Sequence, residues 1–290
     1  MNTHTQLETV EFNASKKGKT LLFLGAVHGN EKCGTRAIRR IIAELRNEKI
    51  FLKKGKVIFV PVCNPKAYAK NARFIEFNLN RTIKRSSKPT SYETHLAQEL
   101  CDIIDRADVL IDIHSITAKG QPFYYLDFPI KESRALGKIL GPSIAILGWQ
   151  NIYKKIKKGS GEFDTVSYAA RNKKTGITLE CGQHRDPKAV EIAYMAIKNT
   201  LKKYGMIAGS IKKHKVREIT ITKVYFRNPK ERFCKEWQHL ELVKKGEELF
   251  IDSKKRMAGA PFNGYVVMPN SKAFVGEDWL YLGVDKGERH

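Results

Sequence analysis

No apolar run in this chain of 290 residues approaches the ~20 consecutive residues needed to cross a bilayer, so a helical membrane span is not expected. The start, Met1-Asn2-Thr3-His4-Thr5-Gln6-Leu7-Glu8, has neither a basic segment nor an apolar core, and no secretory signal is read from it. Cysteine is scarce. Cys33, Cys63, Cys101, Cys181 and Cys234 are odd in number, and none forms a CxxC pair, which argues for reduced thiols rather than a disulfide framework. A cytoplasmic location is the expectation. Acidic residues are also few, 30 against 53 Lys and Arg, giving a net charge of +23. So basic a chain invites a nucleic-acid reading. Its charges, however, are scattered in short pairs such as Lys53-Lys54, Lys154-Lys155 and Lys212-Lys213, with no arginine-rich tail or basic helix. No specific nucleic-acid partner and no membrane partner is expected. The positive field would instead draw a small anionic substrate toward a cleft.

What the chain does contain is a set of apolar strands that end in chemistry-bearing residues. Thr20-Leu21-Leu22-Phe23-Leu24 runs into Gly25-Ala26-Val27-His28-Gly29-Asn30-Glu31, which sets an imidazole and a carboxylate three residues apart. The small residues around His28 leave room for an ion. A helical pattern follows, with Ile38, Ile41, Ile42 and Leu45 on one face. A second run, Asp108-Val109-Leu110-Ile111-Asp112-Ile113-His114-Ser115, also delivers a histidine at a strand's carboxyl end, where ligand sites of open α/β sheets gather. Alternation puts Asp112 on the face of His114, as a carboxylate that orients the ring. His2Glu is a catalytic zinc set that leaves one coordination position open. Taken singly, each of these is more often an ordinary polar residue at a strand end.

Two further segments add the rest of a hydrolytic site. After the strand Lys56–Val62 come Asn64-Pro65-Lys66-Ala67 and Arg73-Phe74-Ile75-Glu76-Phe77-Asn78-Leu79-Asn80-Arg81. A planar guanidinium grips a carboxylate with two parallel hydrogen bonds. An exposed loop of solvated charge is the plain alternative. Gly176-Ile177-Thr178-Leu179-Glu180-Cys181-Gly182 then ends a strand in a carboxylate fit to act as general base.

The ordered set HGNE, NPKAxxxxxRFIEFNLNR, DIHS and TLECG resembles the succinylglutamate desuccinylase/aspartoacylase family, a zinc carboxypeptidase-like branch, over roughly the whole chain. The resemblance implies one zinc ion (Zn2+) per chain on His28, Glu31 and His114. It implies Arg73 polarising the scissile carbonyl, Asn80 and Arg81 on the substrate carboxylate, and Glu180 as catalytic base. One departure is Asn78, where the family has Asp two residues before the Asn-Arg pair. The expectation is that this removes a charge near the anion site without touching a ligand. The residues after Glu180 also differ from the aspartoacylase form. Tyr153, Tyr168 and Tyr265 are all open as the tyrosine completing the pocket, and Arg171 is left unassigned.

The expected fold is α/β, a mixed open sheet flanked by helices, with a smaller C-terminal all-β appendage. Residues 1–205 form the catalytic domain and 206–290 the β domain. Helices are expected over Ser91 to Ala107 and from Pro187 to Gly205, and strands at Pro122 to Leu126 and Ile144 to Leu147. Asn151 to Thr165, rich in Lys and Gly, is read as a loop on the rim of the site. From Met206 the pattern is β, with strands at 217–226, 247–251, 264–268 and 279–283. The GxPFNGYVVMP stretch resembles the barrel-like appendage of such proteins, with no lysine in a lipoyl or biotinyl context. The function expected is removal of an acyl group from an N-acyl amino acid or similar small carboxylate-bearing amide. A zinc carboxypeptidase acting on peptides and a non-catalytic basic binding protein are the rivals. Assembly into a homo-oligomer is left open.

Overall fold

The computed structural model describes residues 7–155, 163–285 and 287. Strand β1 (Val10–Asn13) pairs antiparallel with β3 (Lys56–Val60), which lies parallel to β2 (Thr20–Gly25). Strands β4 (Val109–Ile116) and β7 (Thr175–Gln183) extend the parallel centre. Then come β5 (Phe123–Tyr125), antiparallel to β7, and β6 (Ile144–Leu147). All eight residues of β4 are buried, as a central strand covered by helices on both faces requires.

Alternation within the strands sorts the core into two layers. Leu21 and Phe23 of β2 point into one, against α1 (Cys33–Arg46) and α7 (Lys188–Lys203). Leu22 and Leu24 point into the other, against α3 (Tyr92–Asp105) and α6 (Thr165–Arg171). Helix α1 buries Ile38, Ile41, Ile42 and Leu45, the stripe read from the sequence. Helix α3 begins with a reciprocal capping box between Ser91 and Thr94. The short helices α2 (Pro65–Ala69), α4 (Lys131–Gly137) and α5 (Trp149–Lys155) fill the connections. Residues Asn151 to Lys155, read above as loop, are therefore the end of a helix, and residues 156–162 of that expected rim lie outside the described residues.

The C-terminal strands join the same sheet. β8 (Arg217–Phe226) pairs in parallel with β6, and then β14 (Asp278–Asp285), β13 (Gly264–Val267) and β10 (Leu242–Val243) follow antiparallel, completing eleven strands. A separate three-stranded sheet holds β9 (Arg232–Phe233), β11 (Glu248–Ile251) and β12 (Met257–Gly259). The mixed sheet thus carries the C-terminal loops to the carboxyl ends of the parallel strands. No helix among the described residues is long and apolar enough to cross a membrane.

Candidate active site

His28 sits just past β2, Glu31 just before α1, and His114 in β4, and the three are brought together in the interior. The turn that carries His28 passes close to α2. A Cβ on Gly29 would lie 2.2 Å from the carbonyl carbon of Ala67, so this approach requires a glycine.

Both imidazoles aim Nδ1 at one carboxylate. His28 Nδ1 is 2.9 Å from Glu31 Oε1 and His114 Nδ1 is 2.8 Å from Glu31 Oε2. Arg73 Nη1 and the Ser115 N–H also donate to Glu31, at 3.0 and 3.1 Å. On the far side of the rings, His28 Nε2 meets Asn78 Oδ1 at 3.0 Å and His114 Nε2 stands 2.9 Å from Asp112 Oδ2. Asp112 in turn accepts from Thr165 Oγ1. Asn78 therefore does touch a histidine of the cluster, which overturns the expectation drawn for it. As an amide oxygen it accepts from Nε2–H, which holds the ring with Nδ1 toward Glu31.

Electrostatics follow from this burial. Loss of water holds His28 down at about 4, helped by the positive charge of Arg73 and opposed by Glu31. Burial would raise Glu31, but the two histidines outweigh it and keep the carboxyl well below its usual range. His114 is pushed down by burial and more strongly up by Asp112 and Glu31, ending above the ordinary imidazole value.

The ligand atoms of His28, Glu31 and His114 lie within 4.8 Å of one another. A tetrahedral zinc ion about 2.0–2.1 Å from its ligands sets them roughly 3.3 Å apart, so two nitrogens and a carboxylate so gathered fit such an ion.

Glu180 is His114's partner in the parallel pairing of β4 with β7. It is buried, and its Oε2 has no hydrogen-bond partner among the described residues. Burial, with Glu31 nearby, pushes Glu180 up to about 8 against the pull of His114 and Arg73. A carboxyl so poised, with a free oxygen, can exchange a proton near neutral pH.

Two cavities meet at Glu180. One of about 150 Å³ is lined by His28, Glu31, Arg73, Asn78 and Glu180, and on its outer side by Met268, Pro269, Asn270, Asp278 and Tyr281 of the C-terminal strands and loops. The other, about 60 Å³, continues past His28 and His114 to Asn80, Arg81, Tyr125, Asp127, Trp149 and Asp164. Arg81 Nη1 donates to the Asn80 carbonyl at 2.8 Å, Nη2 is 3.8 Å from Asp278, and the guanidinium lies 5.3 Å from the ring of Trp149. The Asn80 side chain accepts from the Thr165 N–H. It thereby ties the turn at Arg81 to the start of α6.

Several residues of this site were not singled out in the sequence. Glu93 on α3 is fully buried and accepts from the backbone N–H groups of Ile75, Glu76 and Phe77 and from Asn64 Nδ2. It fixes the strap between Arg73 and Arg81, and only its place in the first turn of a helix was visible. Of the three tyrosines left open, Tyr153 reaches the site indirectly through a 2.7 Å bond to Tyr281. Tyr168 bonds Asp105, and Tyr265 packs beside Arg217, so neither lines the two cavities. Tyr125 and Tyr281 line them instead.

With this geometry in view, residues 17–201 match the model of the succinylglutamate desuccinylase/aspartoacylase catalytic domain. The chain belongs to that family. It is 28% identical over 212 residues to an N-alpha-acetyl-L-2,4-diaminobutyric acid deacetylase of Halomonas elongata, covering 67% of this chain and 57% of that protein. It is 33% identical over 108 residues to a probable aspartoacylase of Prochlorococcus marinus, covering 34% and 35%. The matches thus span less than two thirds of either relative. Among solved structures, the fold is shared with a succinylglutamate desuccinylase/aspartoacylase from Rhodobacter sphaeroides at a TM-score of 0.75, 20% identical over 96% of this chain and 89% of that one. The ectoine utilization protein EutE (DoeB) of Ruegeria pomeroyi, solved with product bound, has the same TM-score and identity over 95% and 88%.

Proposed function

We propose that the chain is a zinc-dependent hydrolase of amide bonds that removes the acyl group from an N-acyl amino acid. The observation that carries this is the pairing of Glu180 with His114, which sets a buried carboxylate oxygen, without a partner among the described residues, on the cavity shared by His28 and Arg81. Support also comes from the printed activities of the Halomonas and Prochlorococcus relatives, both acyl-removing enzymes by name.

His28, Glu31 and His114 would hold one zinc ion, which when bound supplies Lewis acidity toward water and toward the amide carbonyl. Asn78 and Asp112 fix the rings behind it. Glu180 takes a proton from the water as the water oxygen attacks the carbonyl carbon. The same proton then passes to the amine nitrogen as the carbon–nitrogen bond breaks, leaving a free acid and an amino acid. Arg73, beside Glu31, faces the developing oxyanion, a role in which one donor is commonly worth roughly 3 kcal/mol. Arg81 receives the substrate carboxylate with the help of Asn80.

Met268, Pro269, Asn270 and Tyr281 wall the outer cavity, and this supports a small acyl amino acid over a peptide. Lys32, Arg36, Arg185 and Lys272 line an adjoining groove, a basic approach for a carboxylate-bearing ligand. The division into a catalytic unit of residues 1–205 and a β unit of 206–290 belongs to the same proposal, supported by the antiparallel character of β14, β13 and β10. So does a cytoplasmic location, supported by five free cysteines, four of them buried.

The test is release of free amine from a panel of N-acetyl and N-succinyl amino acids by zinc-loaded protein, with chelated protein beside it. Release that depends on restored metal is expected. A zinc-loaded protein inert on the whole panel would remove the reading.

A further inference from the structure

The acyl side of the site does not end at Glu180. Glu180 and Arg73 line both the inner and the outer cavity, so a substrate held by its carboxylate on Arg81 points its acyl group into the outer one, of about 150 Å³. That cavity shares Thr117, Ala118, His184, Pro269 and Asn270 with a larger one of about 640 Å³. The larger cavity lies between the carboxyl ends of β4 and β7 and the strand β9. Its volume is within the ~300–1,000 Å³ of pockets that enclose a ligand.

The sign of charge changes from one to the other. Glu31, Glu180, Glu277 and Asp278 line the outer cavity, where Arg73 is the one Lys or Arg among the described residues. In the larger cavity Lys119, Arg185, Arg232 and Lys272 make no ion pair among the described residues. The other charges there are already engaged or face water. Lys235 is held by Glu241 and Glu247, Arg227 donates to the carbonyls of Ser271 and Ala273, Glu231 accepts from Asn228, and Glu236 is exposed.

Two buried polar atoms add to this. Trp279 is 1% exposed, its ring stacks on Phe233 at 4.2 Å, and its Nε1–H has no acceptor among the described residues. His184 Nδ1 is 2.8 Å from Ser115 Oγ, and its Nε2 is likewise without a partner among them. Trp279 lines the larger cavity, and His184 lines both. An indole N–H can only donate, and its burial is costly until an acceptor joins it. Phe233, Trp237 and Trp279 give the same cavity an apolar wall.

We propose that the acyl group removed here is a long dicarboxylic one, whose chain passes His184 and whose far carboxylate ends among Lys119, Arg232 and Trp279. This rests on the amide-hydrolase reading above and deepens it, and the products are the free dicarboxylic acid and the amino acid. A short dicarboxylic acyl group such as succinyl is a different case. Its second carboxylate would stop in the outer cavity beside Glu277 and Asp278 and be repelled. A neutral chain of the same length would reach the apolar wall and leave the cations and the indole N–H unmatched.

The experiment compares kcat/KM of the zinc-loaded protein on N-succinyl, N-octanoyl and N-suberoyl conjugates of the same panel of amino acids. It is run on wild type and on the double variant Lys119→Gln with Arg232→Gln, both exposed positions. N-Suberoyl should exceed N-octanoyl by about 10-fold, the low end for hydrogen bonds to charged groups, and the ratio should fall toward parity in the variant. N-Octanoyl equal to or better than N-suberoyl, N-succinyl preferred over N-suberoyl, or an unchanged ratio in the variant overturns the proposal. If no conjugate is hydrolysed, the hydrolase reading has failed, and calorimetry with free suberate, octanoate and succinate still decides the role of the larger cavity. Suberate binding tightest, and weakened in the variant, keeps it. Equal binding of the three, or none of suberate, removes it.

Discussion

Glu180 and His114 lie side by side in the parallel β4 and β7 pair, so a would-be base and a would-be metal ligand are fixed relative to one another by backbone hydrogen bonds rather than by side-chain packing. The separation between ion and base in this account therefore depends on strand register, which is hard to disturb without unfolding the sheet.

Replacing Glu180 by Gln tests the base without changing its size. Zinc content should stay at the wild-type level, and kcat should fall by about 10²- to 10⁴-fold, the usual contribution of general acid–base catalysis. Steady-state rates together with elemental analysis check both halves. Wild-type turnover would remove Glu180 from the mechanism.

Arg81→Lys keeps the charge but loses the planar fork, so binding of the substrate carboxylate should suffer. Comparison of an N-acyl amino acid with its methyl ester checks this. The wild type should favour the acid, and the variant should lose most of that preference. Equal rates on acid and ester in the wild type would move the carboxylate to another group.

Glu93 accepts four hydrogen bonds from the segment that leads to Arg81. Glu93→Ala takes away the charged acceptor of all four donors, and a hydrogen bond to a charged group is worth about 1.5–3 kcal/mol. Thermal unfolding should show a large drop in Tm, and hydrogen exchange should show faster exchange at Ile75, Glu76 and Phe77. An unchanged Tm would show that the strap does not need this anchor.

His239 is buried, its Nδ1 accepts from the Met268 N–H, and burial lowers it to about 3. A histidine depressed in the fold contributes stability above its unfolded value near 6.5, which is lost as pH falls toward 3. At pH 5 the loss is ~2 kcal/mol. Urea unfolding at pH 7 and pH 5 measures it, and His239→Gln should flatten the dependence. An equal slope in both proteins would show that another group titrates.

The strand-end motifs were legible because continuous runs without a polar side chain, such as Leu21–Val27 and Val109–Ile111, stop abruptly at a polar residue, and a buried parallel strand leaves that pattern. Asn78 was misjudged because the 3-10 turn at Leu79–Arg81 folds it back onto His28, fifty residues away in sequence. Glu93 and Asp127 were silent for a related reason. Each bonds backbone N–H groups of a remote segment, and a backbone partner has no residue type to recognise. Asn151 to Lys155 of α5 were read as loop because the helix is one short piece, Trp-Gln-Asn-Ile-Tyr-Lys-Lys, with little helical periodicity. Nor could local alternation reveal that β8 would join β6 in parallel and extend the catalytic sheet, since that pairing joins segments some seventy residues apart.

The most direct test of the account is calorimetric titration of zinc into chelator-treated protein, for wild type and His114→Ala. One ion per chain in the wild type, with at least about 10-fold weaker binding in the variant, is the predicted result. Full-affinity binding of one zinc by His114→Ala, or no binding by the wild type, would contradict the assignment of His28, Glu31 and His114 as the metal site.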